Sequence, residues 1–408
     1  MIRLPSRVLR GAVCVSLLSG AAGRLGAVEC QPIINFQLLG GQAFFDGKHT
    51  SFGGNTSLLV VPALLFSPRF SVLPAYSGSY RHTQQVQELA GGNRLTQQVQ
   101  DHLVTVKAIY KLTPRWHGKA RASYKKELML EAVNERWGYG LFDFDKIAVG
   151  FEAERFGPVL RSSRPSLDLY QVRFPNFRAL ASQNFGSEIN SGTRTLDFRA
   201  VEPSWAGDIL LRERTALNLQ GALSWRFFED QNVVLSNGTF TDRKRSDSIL
   251  SASAALHQGF SPRRLGPLPL SQTVSLQAGV AWSDSNQNSY DAAQQFFTAG
   301  FYDYVEWQAG PGWRGQWGPR FSMSAGYSFV RRQYLGRRVQ NESALYFGSK
   351  IRTSTHSFSY SFSYQMTRRW SLLMQGQHVL ASSNMRYEQT YRYNYDGSQY
   401  FAGLGFSY

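Results

Sequence analysis

From His356 to Met366 the chain alternates without a break. His356, Phe358, Tyr360, Phe362, Tyr364 and Met366 take one parity; Ser357, Ser359, Ser361, Ser363 and Gln365 take the other. Successive side chains of a strand point to opposite faces, so this segment is a strand with one apolar and one polar face. The pattern recurs. In 270–284, Val274, Leu276, Ala278, Val280 and Trp282 oppose Thr273, Ser275, Gln277, Gly279 and Ser283. In 214–227, Leu217, Leu219, Leu223, Trp225 and Phe227 oppose Arg214, Asn218, Gln220, Ser224 and Arg226, and 319–329 alternates in the same way. A one-residue slip would move every polar set to the apolar face, so register is strongly fixed. The exception is 57–66, where Leu59, Val61 and Leu65 oppose Leu58, Val60, Leu64 and Phe66. That strand reads as a soluble core strand, or as one beside a dry part of an interior.

Mean hydropathy is −0.31, and past the first segment no run approaches the roughly 20 apolar residues of a spanning helix. Alternating strands conceal their apolar face in such an average. The 28 Phe, 20 Tyr and 9 Trp fit a lipid-facing band with aromatic girdles. Lipid offers the backbone no hydrogen-bond partners, so a spanning chain without helices must be a closed barrel. The expected class is all-β: a transmembrane antiparallel up-and-down β-barrel.

The first segment reads as a secretion signal. Arg3, Arg7 and Arg10 precede a short apolar run over 11–23, and small residues follow at Gly20-Ala21-Ala22 and Gly26-Ala27. Cleavage after Ala22 or Ala27 fits equally. The expected division is a cleaved signal over 1–27 and one barrel domain over 28–408. Glu29 before Cys30 argues against lipidation, which requires a small residue there. With Cys14 removed, Cys30 would stand alone, leaving no intrachain disulfide and no cysteine metal site. The formal charge of +16 falls by four with the signal's Arg3, Arg7, Arg10 and Arg24. A secreted barrel does not meet nucleic acid, so this charge points to anionic headgroups at the rim or an anionic solute in a pore.

Tight turns and long loops alternate along the chain. Five turns are clear: Phe66-Ser67-Pro68-Arg69-Phe70, Leu112-Thr113-Pro114-Arg115-Trp116, Phe260-Ser261-Pro262-Arg263-Arg264, Trp317-Gly318-Pro319-Arg320-Phe321 and Met366-Thr367-Arg368-Arg369-Trp370. Two weaker ones lie at Phe156-Gly157-Pro158 and Pro203-Ser204-Trp205. Pro presets the turn, Arg stays in water and the aromatic sits at the interface. Polar loops centre on 47–52, 85–96, 133–140, 174–190, 231–244, 285–299, 334–349 and 386–396. Seven turns and eight loops imply about sixteen strands, within 14–18, with short periplasmic turns and longer extracellular loops.

The last strand carries Tyr400, Ala402, Leu404, Phe406 and a terminal Tyr408. This resembles the C-terminal signal that bacterial barrel-assembly machinery reads, here Leu404, Phe406 and Tyr408. The whole chain resembles the large porin-type outer-membrane barrels. Its turn style resembles the β-barrel porins encoded near exopolysaccharide-export genes. The resemblance implies a location in the outer membrane of a Gram-negative bacterium, a transport or export role, and a homo-oligomer as one assembly.

Parity assigns inward charges. The basic set is Lys107, Lys111, Lys119, Arg121, Lys125, Arg199, Arg214 and Arg226; the acidic set is Glu127, Glu152, Glu154, Asp197 and Glu306. One reading is a cationic stripe for anions; the other is mutual neutralisation, as Glu127 among Lys119, Arg121 and Lys125 suggests. Loop 174–190 carries Phe174, Phe177, Leu180 and Phe185. It either enters the lumen, bringing Arg173, Phe174, Phe177 and Arg178 to a constriction, or packs at the rim. Tyr302 and Tyr304 are candidates for stacking on sugar rings.

Barrel hydrolases need His and Ser paired on the outer face, or carboxylates with His at the rim. None of the seven His forms a compact motif with Ser or Asp, and Ser236-Asn237-Gly238 lacks a preceding His. Asp143, Asp145, Glu152 and Glu154 read as lumen charge. No metal-ligand spacing or phosphate-binding glycine loop is present, so no cofactor and no catalysis are expected. The leading expectation is a passive pore for hydrophilic solutes, with an anionic solute or polysaccharide as cargo. The alternative is a plugged structural or adhesin-like barrel whose loops bind a partner.

Overall fold

The computed structural model describes residues 28–49, 52–89, 92–132, 134–177, 194–265, 268–389 and 391–408. Sixteen antiparallel strands close into one barrel. They are β1 (Glu29–Phe45), β2 (Gly53–Leu65), β3 (Phe70–Arg81), β4 (Gln98–Thr113), β5 (Trp116–Leu130), β6 (Phe144–Phe156), β7 (Leu160–Arg173) and β8 (Phe198–Arg212). The second half is β9 (Thr215–Val234), β10 (Phe240–Leu265), β11 (Leu268–Ser285), β12 (Tyr304–Trp317), β13 (Phe321–Gln340), β14 (Tyr346–Gln365), β15 (Trp370–Ser383) and β16 (Tyr395–Ser407). Each strand pairs with its sequence neighbour, and β1 closes the ring on β16 from Asn35↔Ser407 to Phe45↔Gly397. Tyr408 completes the seam: its N–H donates to the Ile34 carbonyl at 2.8 Å and its carbonyl accepts from the Ile34 N–H at 3.1 Å. The short strand Lys48–His49 merely extends the first hairpin.

The outward parity is the apolar one. Val104, Phe151, Leu276, Trp307 and Leu372 are 42–59% exposed although they are large and hydrophobic. That exterior suits lipid, and it places the barrel in the outer membrane. An Arg or Lys on that face at mid-membrane costs roughly 2–4 kcal/mol, which is why the strand charges turn inward there.

The repeated turns have a local cause. In three of them a hydroxyl three residues before the strand accepts two backbone N–H groups. Ser67 Oγ takes those of Arg69 and Phe70 at 3.3 and 3.0 Å. Thr113 Oγ1 takes Arg115 and Trp116 at 3.2 and 3.1 Å. Thr367 Oγ1 takes Arg369 and Trp370 at 3.3 and 3.1 Å. Such side-chain caps stabilise a turn that Pro alone only presets.

Two expected turns lie elsewhere. Pro203-Ser204-Trp205 is mid-strand in β8, and the reversal comes at Glu213 and Arg214. β10 runs through Ser261-Pro262 with a register shift between Phe260 and Arg263, and pairs with β11 as far as Leu265↔Leu268. Pro lacks a donor and is accommodated at such a bulge. Loops expected over 231–244 and 334–349 shrink to 235–239 and 341–345. β9, β10, β13 and β14 are 20–26 residues long, against the ~9–11 needed to cross lipid. Their upper parts are ribbons in water, where apolar alternation is no longer required.

In the uncleaved chain Cys30 is disulfide-bonded, so the expected unpaired thiol applies only after removal of 1–27; Cys14 lies outside the described residues.

Candidate functional site

The register divides the lumen into two unlike walls. On β4–β8 the inward positions are charged. Lys107 of β4 opposes Arg121 of β5, which opposes Gly150 of β6, which opposes Asp168 of β7, which opposes Glu202 of β8. Acids intercalate between the bases. Lys119 Nζ lies 2.5 Å from Glu152 and 2.7 Å from Glu154. Arg121 meets Asp168 at 2.6 Å, and Arg164 meets Asp208 at 2.8 Å. Lys125 meets Asp101 at 2.9 Å and also bonds Glu127, while Arg81 reaches the same Asp101 at 3.1 Å. Lys146 sits 3.8 Å over the Tyr170 ring, whose hydroxyl donates to Glu202 at 3.1 Å.

On β13–β16 most of the wall is hydroxyl, amide and glycine. Ser322, Ser324 and Ser328 of β13 oppose Ser363, Ser361 and Ser357 of β14. Ser359 and Ser361 oppose Gln377 and Gln375 of β15, and Gln377 opposes Gln399 of β16. Ser324 and Ser361 hydroxyls are 2.8 Å apart. Gln377 Nε2 donates to Ser357 Oγ at 3.1 Å, and Gln399 Nε2 donates to Gln377 Oε1 at 2.7 Å. A cavity of about 750 Å³ lies against this wall, bounded also by Phe45, Asn55 and Tyr395.

A hairpin narrows the mouth. Gln85–Leu89 pairs with Gly92–Thr96 between β3 and β4. Gln84, Gln85 and Val86 border the large cavity. Glu88 reaches Arg332 of β13, which also meets Glu306 of β12 at 2.7 Å. Arg94 pairs with Glu131 at 3.2 Å, and Asn93 accepts the Arg392 N–H at 2.8 Å. The hairpin thus ties the charged side of the barrel to β13 and to the last loop. Its signal in the sequence is two short runs, Gln85-Val86-Gln87-Glu88-Leu89 and Arg94-Leu95-Thr96, flanking Gly91-Gly92.

Six of the expected basic positions face the lumen: Lys107, Lys111, Lys119, Arg121, Lys125 and Arg226. Lys107, Lys111 and Arg226 make no ion pair among the described residues. Two do not face it. Arg199 shares the outward face with Phe227 and bonds Glu229 at 3.0 Å above the lipid. Arg214 lies in the periplasmic turn and donates to Ser261. Of the acids, Glu127, Glu152, Glu154 and Glu306 face in. Asp197 sits below Phe174 in the β7–β8 connection and accepts its N–H at 2.7 Å. Asp101, Asp168, Glu202, Asp208, Arg164 and Arg332 are further lumen charges of the same parity.

At the extracellular rim Phe174 packs on Phe144 and Phe177 on Phe142, beside Val99, Met129 and Leu196. Arg173 is exposed at the outward end of β7; Arg178 lies outside the described residues. Burial pushes the nearby Asp143 carboxyl above its ordinary range, although the Met129 N–H donates to it at 2.7 Å. Tyr304 faces the lumen under Arg332, whose guanidinium carbon is 4.2 Å from its ring centre. Tyr302 instead packs between Arg245 and Arg337 in the extracellular layer. The last strand, β16, presents Tyr400 and Leu404 outward, 46% and 42% exposed.

Folding also brings a His and a Ser together. His378 Nδ1 is 2.6 Å from Ser398 Oγ on the outward face. Among the described residues the other nitrogen of His378 makes no hydrogen bond to a carboxylate, the third member of a hydrolase triad.

The barrel, its apolar exterior and its polar lumen define the class: a bacterial outer-membrane β-barrel. No family model matches the chain, and no curated protein does. Solved structures similar to it include Pseudomonas aeruginosa OccD3 (OpdP), with 8% identity and a TM-score of 0.46 over 95% of this chain and 93% of that one. The trimer form of OmpT, an outer-membrane protein of Vibrio cholerae, has 9% identity and a TM-score of 0.43 over 94% and 100%. A bacterial polysaccharide outer-membrane secretin has 7% identity and a TM-score of 0.43 over 92% and 97%.

Proposed function

We propose that this barrel is a passive pore for hydrophilic solutes, and that neutral saccharides are the class it suits best. One observation carries the reading: the serine and glutamine wall of β13–β16 borders a cavity of about 750 Å³. Hydroxyls and amides both donate and accept, as sugar hydroxyls do, and carry no charge to hold a solute in place. Small anions are a second cargo, attracted by Lys107, Lys111 and Arg226, while most other lumen bases are neutralised by a carboxylate within reach. Residues 1–27 are the cleaved signal and 28–408 the working barrel. Leu404, Phe406 and Tyr408 are the strand read by the assembly machinery, and a homo-oligomer is the assembly. The barrel works without catalysis and without a cofactor.

The hairpin latch supports a second reading, a barrel closed at its mouth whose loops bind a partner. Liposome swelling separates the two. Proteoliposomes of the refolded barrel should swell in isotonic mono- and disaccharides, more slowly in larger ones. Lack of swelling in every sugar, from vesicles holding folded protein, favours the closed barrel.

A further inference from the structure

On the outward face, near the extracellular end of β13 and β14, the pattern of the lipid band breaks. Above Phe329 and His356 the same parity carries Arg331 and Gln333 on β13, and Arg352 and Ser354 on β14. Arg331 opposes Ser354 and Arg352 opposes Gln333, so the two guanidinium stems are diagonal neighbours, about 7–8 Å apart at the backbone. Both arginines are exposed, and neither makes an ion pair among the described residues. Trp307, directly opposite Arg331 on β12, is 59% exposed. A depression of about 470 Å³ runs between Val305, Trp307, Arg331, Gln333 and Leu335. Lys350 stands at its edge, donating to the Leu335 carbonyl.

Two other outward bases are accounted for differently. Arg199 has Glu229 at 3.0 Å. Arg155, at the periplasmic end, lies over the Trp116 ring at 5.7 Å. Along the β12–β14 patch the outward neighbours are Val305, Trp307, Ser354 and, on β15, Ser382. The acids beyond Val305 are Asp284 on β11 and Asp303, whose carboxylate accepts the Ser285 N–H at 2.7 Å; neither forms an ion pair with Arg331 or Arg352 among the described residues. An arginine pair without a carboxylate, with an indole beside it at the membrane interface, leaves its forked donors facing the headgroup layer. Phosphate is the anion of that layer that guanidinium binds with two parallel bonds. Indole rings anchor at the same depth.

We propose that Arg331, Arg352 and Lys350, with Trp307, form an exterior site for a phosphorylated glycolipid of the outer leaflet. The arginines hold the phosphate, Lys350 adds charge at the edge, and Trp307 packs on the sugar or the upper acyl carbons. The site lies outside the pore and does not depend on what the lumen passes.

The test is lipid retention by the full barrel in detergent, read by native mass spectrometry with diphosphorylated lipid A as probe. The wild type should retain lipid A and lose it to dephosphorylated lipid A poorly. The double variant Arg331→Gln, Arg352→Gln should retain it at least about tenfold less, the loss of a pair of charge-assisted bonds. Arg155→Gln should bind as the wild type does. Equal retention of the phosphorylated and dephosphorylated lipids by the wild type would overturn the proposal without requiring any variant to fold. So would an unchanged double variant, or displacement of lipid A by equimolar inorganic phosphate.

Discussion

The lumen's two walls keep side chains wet in opposite ways. On β4–β8 Lys119, Arg121, Lys125 and Arg164 are each answered by carboxylates at 2.5–2.9 Å. On β13–β16 neutral groups meet neutral groups: Ser324 pairs with Ser361, and Gln399, Gln377 and Ser357 form a hydrogen-bonded chain. A paired wall is nearly neutral at a distance yet locally polar, and it is sensitive to loss of either partner. A serine wall tolerates single losses, because hydroxyl partners exchange easily with water. A count of lumen bases therefore does not give a pore's selectivity; the bases without a carboxylate do.

The largest expected effect comes from the element that touches both walls. Replacing 85–96 by a short Gly-Ser link removes Glu88 from Arg332 and Arg94 from Glu131. Single-channel conductance should then rise several-fold; an unchanged value would place the narrowest point elsewhere. Next is a charge set into the neutral wall. Ser359→Arg has no carboxylate opposite it, so the reversal potential in a salt gradient should move further toward chloride than any single substitution on the charged wall moves it. A smaller effect is expected for Asp168→Asn. It frees Arg121, raising anion preference, and costs about 0.5–1 kcal/mol of stability in urea unfolding, since the pair is partly solvated. Smallest is Lys107→Gln, which should lower anion preference slightly and change stability by no more than about 0.5 kcal/mol. If Asp168→Asn and Lys107→Gln shift selectivity in the same direction, the distinction between paired and unpaired bases fails.

Within the lipid band the sequence was a sound guide, because there hydrophobicity and facing are the same thing. His356 to Met366, Val274 to Trp282 and Leu217 to Phe227 all point as their alternation implies. Above the band that link breaks. Phe198 turns inward and Arg199 outward, since both faces meet water or loops there, and parity read from polarity inverts. Arg214 belongs to a turn, where a strand's alternation no longer sets the facing. The pairing of β7 with β8 places Asp168 beside Glu202, and that neighbour relation is not carried by either strand alone. The same holds for His378 and Ser398, twenty residues apart and brought together only by register. The hairpin at 85–96 is polar enough to pass for an ordinary loop; its role depends on Glu88 meeting Arg332, a contact across the barrel. The exterior arginines were hidden because β13 and β14 continue past the membrane.

The most direct measurement is the current through single refolded barrels of residues 28–408 in a planar bilayer under a potassium chloride gradient, with neutral oligosaccharide added. Stable open steps, a weak chloride preference and brief sugar-induced blocks are expected. Silent insertion of protein that runs as a folded, heat-modifiable barrel would contradict the pore and leave the hairpin as a permanent plug.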